Sequence, residues 1–488
     1  MSFSISNTSA SAVITTLSTP SSVTGDVTIT GGTLPLFVGG LISGSNTEIN
    51  NTQGSPYGSI LMLLQQGDAK IDTYVNNTLY STDTYGSGLI SVQTPILQST
   101  DSLTMSVSDS QFDCYDLTPN FTGATSTNNN ATEFIEQPDG KFIFAGSFQT
   151  YKGQSYNKII RLNTDFSIDT SFVIGAGFNT GATINSIALQ SDGKILCGGT
   201  FTGYSGTSIA RILRLNSDGS RDTTFQSGTG ATGTINSILV QPDNKILVGG
   251  AITQYSGVSL SGITRLNSDG SIDPSFSCTF TPTSNPAIAM ALQSDGKIVV
   301  GGAFTGVSAT SINRIVRLET NGSIDATFSA GTGFDNNVLV VNVESDGKIM
   351  VGGAFSGYNG NASSQIVRLN GDGSIDNTFV VGSGFTGPVS TRVLSITKNN
   401  NRYVVTGLFS GYQSTTQGLI VGLNNNGSID STFNTGGGFS SSSNLTTFNF
   451  IKSNGEIIVP GRNLGTYRGE SVTNLVVLDP LGKLLNCD

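Results

Sequence analysis

The chain has 488 residues, 62 of them Gly, with 11% charged residues and no Trp or His. Apolar residues reach 36%, enough for a core, so the composition is that of a turn-rich β protein rather than a disordered one. The net charge of −10 argues against a nucleic-acid groove and an anionic membrane surface as partners, and the lack of His excludes Ser-His-Asp triads, Cys-His pairs and His-ligated metals.

The opening "MSFSISNTSASAV" has no basic stretch followed by an apolar one. No Sec-type signal is expected, and export would need another route, such as release within a virus particle. Residues 1–22 read as an arm or a first strand. Candidate strands follow at 26–30, 34–42, 58–65, 69–75, 78–82, 88–97 and 102–109. In "SLTMSVS", Leu103, Met105 and Val107 alternate onto one face. Asn76-Asn77 reads as a two-residue hairpin turn. The run "ILMLL" at 60–64 is far too short to span a bilayer. Residues 1–112 are expected to form a β-sandwich-like domain for attachment or oligomerisation.

From Gln137 onward the chain repeats itself. "QPDGKFIFAGSF" returns at Gln190, Gln241, Gln293, Glu344, Lys398 and Lys452, with spacings of 51 to 54 residues. Each copy is followed by a second signature such as "RILRLNSDGSRDTTF" (211–225) and a loop such as "GTGATGTIN" (228–236). A unit reads as four short strands, "TINSIALQ", "KILCGGTF", "IARILRLN" and "SRDTTF" in unit two. Seven such units suit an all-β seven-bladed propeller over 113–488, which hides strand edges by closing on itself. Helical solenoids are excluded, because no unit has a 3.6-residue apolar period.

The coupling of "QSDGKIVVGGAF" (293–304) to signatures like "RLNSDGSIDPSF" (265–276) resembles the delta-60 repeat β-propeller family across roughly 113–488. That family occurs in phage structural proteins and bacterial surface or secreted proteins. The resemblance implies a fold and a display role, and no catalytic residues.

Both turns have a physical reading. In "LQSDGKI" a three-residue hairpin loop needs a left-handed residue. The seven copies place Gly140, Gly193, Asn244, Gly296, Gly347, Asn401 and Gly455 there. The second turn sets Arg214 across from Asp222. The same offset joins Arg161 to Asp169, Arg265 to Asp273, Arg317 to Asp325 and Arg368 to Asp376, as structural ion pairs. Unit seven replaces both partners with Val477 and Leu485, unit six has Gly422 opposite Asp430, and unit one carries Phe166 at the left-handed position. The stretch "NGDGSIDNTFVV" looks like a calcium loop, but its twelfth residue is Val381 rather than Glu. A turn is expected there, with no metal and no cofactor.

Phe172, Phe225, Phe276, Phe328, Phe379 and Phe433 end successive fourth strands, and Phe121 is assigned the same role. The segment 115–121 and the C-terminus are thus expected to complete the last blade together. Cys114 and Cys487 flank that closure as a candidate bridge. Cys197 reads as a buried apolar filler.

Carboxylate-pair hydrolysis needs two suitably spaced acids. The non-repeating acids Glu133, Glu136, Asp335 and Glu344 form no pair in sequence, so no enzyme is expected. The loops after the second strands carry Tyr151, Tyr204, Tyr255, Tyr358, Tyr412 and Tyr467, with Val307 in unit four. They are the candidate ligand-binding residues for a glycan or protein; the alternative is that each Tyr packs between blades. The leading expectation is a virion structural protein, of a phage tail, fibre or capsid surface. It would contact other virion proteins through its N-terminal domain and a host-surface glycan or protein through its propeller. An exported bacterial cell-surface adhesion protein is the alternative.

Overall fold

The computed structural model describes Phe121 and residues 131–485 apart from 283–286, 388–389, 400–401, 434, 441–447, 462–463 and 473, together with the backbone of nine strands before residue 113. The chain divides into Met1–Asp113 and Cys114–Asp488. Among the described residues it is all β, without a helix.

The first unit contains two sheets. One has six strands, in the order Phe3–Ser6, Val27–Thr30, Thr47–Asn51, Leu103–Asp109, Ala69–Val75 and Thr78–Tyr85. The other has three, Leu36–Val38, Ser59–Leu64 and Gly88–Gln93. Val75 pairs with Thr78, as a two-residue hairpin turn requires. Two features depart from the sequence reading. Thr47–Asn51 has one apolar residue, Ile49, and so shows no alternation. Three strand pairs are parallel, which requires crossover connections rather than tight turns.

The second unit repeats one module. In unit two, Ile184–Leu189 pairs with Ile195–Gly199, which pairs with Ile212–Leu215, all antiparallel. Seven three-stranded sheets of this kind recur between Ala131 and Leu478 among the described residues. The expected fourth strand shrinks to a single bridge, such as Leu215 with Arg221. The reason lies in the sequence: Thr224 N–H donates to Asp222 Oδ1 at 2.9 Å, so the carboxylate turns the chain two residues after the bridge.

The apolar core is a series of layers between successive units. Ile143, Ile159 and Phe172 of unit one pack with Ile184, Ile187 and Cys197 of unit two. The middle-strand "GG" makes this contact close. A Cβ on Gly198 would stand 2.6 Å from Ile235 and 2.7 Å from Ile238 of unit three.

Contacts also join the last unit to the first. Phe134 stacks on Phe450 at 4.9 Å, and Ser453 donates N–H and O–H to Glu136, both at 2.7 Å. Asn474 Nδ2 donates to Phe121 O at 3.1 Å. Phe121 packs on Phe144, Phe148 and Tyr151. That is the place held by Phe178 against Phe201 and Tyr204, not the place of Phe172. Phe121 is therefore an inter-unit loop residue, and the last unit forms its own fourth segment, with Leu485 N–H on Val477 O at 2.8 Å. Residues 115–120, Asn401, Cys114 and Cys487 lie outside the described residues.

Candidate functional site

The repeated charges form internal knots. Each outer-strand Arg meets its Asp at 2.5 to 2.8 Å, in the pairs Arg161–Asp169, Arg214–Asp222, Arg265–Asp273, Arg317–Asp325 and Arg368–Asp376. Every carboxylate also holds a Lys at 2.9 to 3.0 Å, from Lys141, Lys194, Lys245, Lys297 and Lys348. Sequence reasoning missed this second cation, although "DGK" recurs where it stands. Burial pushes each carboxyl up, but hydrogen bonds from Lys, Arg and the Ser or Thr two residues on hold it well below the usual carboxylate range. Each guanidinium also lies 4.8 to 5.2 Å from the Phe that ends its unit and donates to a carbonyl of the next unit, as Arg214 does to Ser268 O.

The six tyrosines correct the sequence reading. Tyr151, Tyr204, Tyr255, Tyr358, Tyr412 and Tyr467 are at most 3% exposed, so their rings offer no face to a ligand. Each hydroxyl donates to a backbone carbonyl fifteen residues on, for example Tyr204 to Gly219 O at 2.7 Å and Tyr358 to Gly373 O at 2.6 Å. The tyrosine pins the 2–3 loop to the second turn. In that turn three successive carbonyls find donors: Ser217 from Arg161, Asp218 from Val173 N–H, and Gly219 from Tyr204. The supposed calcium loop is the same turn. Asp372 Oδ1 accepts from Ser374 N–H at 2.9 Å, and Asp376 Oδ2 accepts from Arg368 at 2.7 Å. Among the described residues, no group of three His, Cys, Asp or Glu is placed to hold a metal.

Departures from the repeat are compensated. Where unit six has Gly422, Arg402 reaches Asp430 from the neighbouring strand, lies 5.3 Å over Phe433 and donates to Pro480 O in unit seven. Phe166 takes the left-handed conformation, with φ 60°. In unit three the equivalent Gly270 lies under Phe225, with ring carbons 2.8 to 2.9 Å from where a Cβ would stand. Phe166 instead turns its own ring inward, against Phe142 at 5.2 Å and beneath Lys452 at 5.8 Å. That ring fills the seam where the last unit carries no fourth-segment Phe.

The non-repeating acids are dispersed. Glu136 binds Ser453, and Asp335 accepts from Ser356 N–H at 2.9 Å. The Glu133 carboxyl is pushed up to about 8 by burial, opposed by the Ile187 N–H. Glu344 accepts from Lys398 and Tyr403. Together with Leu292, Val343, Ile396 and Ile451, these three line a cavity of about 830 Å³ bounded by the inner strands of units three to seven. Two further grooves, of about 580 and 510 Å³, occupy equivalent places between units one and two and between units six and seven. The first is lined by Asn157, Asn179, Thr202, Ser205 and Thr207, which are amides and hydroxyls without charge.

Residues 137–172, 190–225, 241–276, 293–328, 344–379 and 398–433 match the family model described as "Domain of unknown function (DUF5122) beta-propeller". No curated protein matches the chain at a significant level. Among solved structures the chain is similar to the WD40 β-propeller domain of Doa1, with 16% identity, 74% of this chain and 95% of that one covered, and a TM-score of 0.43. It is also similar to YCF48 bound to D1 peptide, with 11% identity, coverage of 76% and 98%, and a TM-score of 0.35. A third is a virginiamycin B lyase from Staphylococcus aureus, with 14% identity, coverage of 63% and 85%, and a TM-score of 0.32.

Proposed function

We propose that this chain, a β-propeller protein carrying DUF5122 repeats, is a non-enzymatic structural protein of a virus particle, in a phage tail, fibre or capsid surface. Its seven units close into one ring, and the N-terminal unit is a β-sandwich that attaches the ring to other virion proteins. The loops are displayed for contact with a host-surface glycan or protein. One observation carries the non-catalytic part: the charged and phenolic groups that recur in the repeats are engaged inside the fold. Arg, Lys and Asp are knotted together, and tyrosine hydroxyls are bound to carbonyls. The groove between units one and two is neutral and rich in amides and hydroxyls, a lining suited to contact through hydrogen bonds.

The test is mass spectrometry of particles purified through a density gradient. The chain is expected at a stoichiometry typical of tail or capsid components. Its absence from particles, despite expression during infection, would sink the virion reading. Exposing cells to the purified chain tests contact separately, with saturable binding expected.

A further inference from the structure

In a repeat protein, a residue type that recurs in every unit builds the fold, and a clustered departure marks where one unit does something more. The largest such cluster lies at the boundary of units five and six. Glu344 stands where units one to four carry Gln137, Gln190, Gln241 and Gln293. Tyr403 stands where the other middle strands begin with Phe142, Ile195, Ile246, Ile298, Ile349 and Ile457. Lys398 pairs with Tyr403 as Leu189 pairs with Ile195, so an ammonium occupies an apolar position. A register change places it there: unit six pairs Asn399 with Arg402, leaving two residues in a turn that elsewhere holds three.

The three residues touch. Lys398 and Tyr403 both donate to Glu344, and Arg368 donates to the Tyr403 hydroxyl at 3.1 Å. In units two and four the matching Arg donates to its own Gln, Arg214 to Gln190 at 3.1 Å and Arg317 to Gln293 at 3.2 Å. Asp376 binds both Arg368 and Lys348, so counting Lys398 and Glu344, three cations face two anions, a net charge of +1. The openings differ as well. The Glu344 side chain is 8% exposed and that of Lys398 34%, so Lys398 is the more accessible member of the pair, its ammonium 4.9 Å over the Tyr403 ring. The wall beside it is mixed: Leu239, Met290, Leu292, Val343, Ile396 and Ile451 alternate with Asn342, Ser345 and Thr397 around about 830 Å³, within the range of small-molecule sites.

We infer that this cavity is a binding site for an amphipathic monoanion, a carboxylate carried on an apolar chain, with Lys398 holding the carboxylate and Glu344 and Tyr403 positioning the ammonium. A single ammonium matches a monovalent head, and the aliphatic side chains of the wall give an apolar chain surface to lie against. The site is independent of the virion reading and would serve any setting in which the chain works.

The probe is sodium decanoate, titrated calorimetrically into the full chain below its micelle-forming concentration, with decyltrimethylammonium as the control of opposite charge. The expected result is one decanoate per chain and no saturable binding of the cation. Lys398→Gln, which keeps length and polarity without charge, should weaken decanoate at least tenfold, in keeping with about 1.4 kcal/mol. Restoring the repeat with Glu344→Gln, Lys398→Leu and Tyr403→Ile should abolish binding while leaving the melting temperature within a few degrees. If wild type fails to bind decanoate, binds both amphiphiles equally, or keeps its affinity in Lys398→Gln, the inference is overturned. If the triple variant does not fold, Lys398→Gln alone decides.

Discussion

Unit seven shows that an Arg–Asp knot can be replaced by a buried apolar pair, Val477 and Leu485, and this predicts a strong coupling in unit two. Arg214→Val leaves the Asp222 carboxylate, whose side chain is only 4% exposed, with Lys194 at 3.0 Å as its remaining cation. Breaking a buried pair costs about 3–5 kcal/mol, and the surviving Lys puts the loss near the lower end. Losing the Phe225 ring contact at 4.8 Å adds about 1 kcal/mol. Asp222→Leu leaves the guanidinium to Gln190 and Ser268 and should cost about 3 kcal/mol. Independent effects would sum to about 7 kcal/mol. The double variant instead copies unit seven, and should lose about 3 kcal/mol or less, a coupling of at least about 4 kcal/mol. Urea unfolding of the full chain, followed by far-ultraviolet circular dichroism, measures all four corners of the cycle. Amide exchange at Asp222 and Phe225 checks that unit two is the part that opens. If the double variant loses the sum of the two singles, the knot is not the self-contained module described, and the comparison with unit seven fails.

Other consequences are direct. Asp169, Asp222, Asp273, Asp325 and Asp376 have folded pKa values far below their unfolded ones. Their stabilisation is therefore full above the unfolded carboxylate range, declines as pH falls below it, and is gone once pH has passed the lower folded values. Acid unfolding should thus begin below about pH 3, and a midpoint near pH 4 by circular dichroism would contradict it. Glu133 behaves oppositely. Its folded value is raised to about 8 from 4.5, so it destabilises increasingly as pH rises from 4.5 to 8. Glu133→Gln should raise the melting temperature at pH 8 and leave it unchanged at pH 4. Tyr204→Phe strands the Gly219 carbonyl and should cost about 1 kcal/mol, read as a lower urea midpoint. Gly422→Arg alone drives a side chain into Phe433, 2.7 Å from the added Cβ. Combined with Arg402→Lys it rebuilds the common knot, so the double variant should melt closer to wild type than Gly422→Arg does.

Much of the second unit was legible because its rules recur. The eight-residue offset between Arg214 and Asp222 came from counting across a hairpin, and the left-handed Gly140, Gly193 and Asn244 from turn chemistry; the structure gives those three φ values of 81°, 81° and 61°. What failed was direction. A tyrosine beside Gly and Ser in a loop has the composition of a binding surface, and only the fold reveals that its hydroxyl ends on a carbonyl fifteen residues away. The two-residue hairpins that follow each tyrosine were also missed, although "YNGN" at 358–361 carries an Asn-Gly turn signal; Asn359 and Gly360 both have positive φ. Phe121 was misplaced because two Phe positions lie six residues apart in units one, four, five and six, as Phe172 and Phe178 do, and spacing alone does not separate them. In the first unit, parallel pairing is a long-range choice that alternation does not encode.

The departures from the repeat do not all mean the same thing. Arg402 with Gly422 exchanges a strand and keeps the contacts of the knot's arginine, namely carboxylate, ring and next-unit carbonyl, from the position that elsewhere holds the Lys. Phe166 and Lys452 replace an aromatic that the last unit lacks and restore the seam. Both changes return the unit to the contacts its neighbours have, so architecture accounts for them. Glu344, Lys398 and Tyr403 do not. Lys398 brings charge to a position where five other units place Leu189, Val240, Leu292, Val343 and Ile451 and unit one places Glu136. A carboxylate as little exposed as Glu344, at 8%, is unfavourable against the neutral Gln of units one to four. A neutral trio such as Gln241, Leu292 and Ile298 fills the equivalent places elsewhere. A departure that costs stability and opens onto a cavity needs a reason outside the fold, and a ligand that meets Lys398 supplies one. The same reasoning ranks the loop grooves lower as small-molecule sites: their amides already bind within the protein, as Asn157 Nδ2 does to Ala176 O at 2.8 Å and Asn179 Oδ1 to Thr202 N–H at 3.0 Å, so they suit broad, shallow contact better than a single tight ligand.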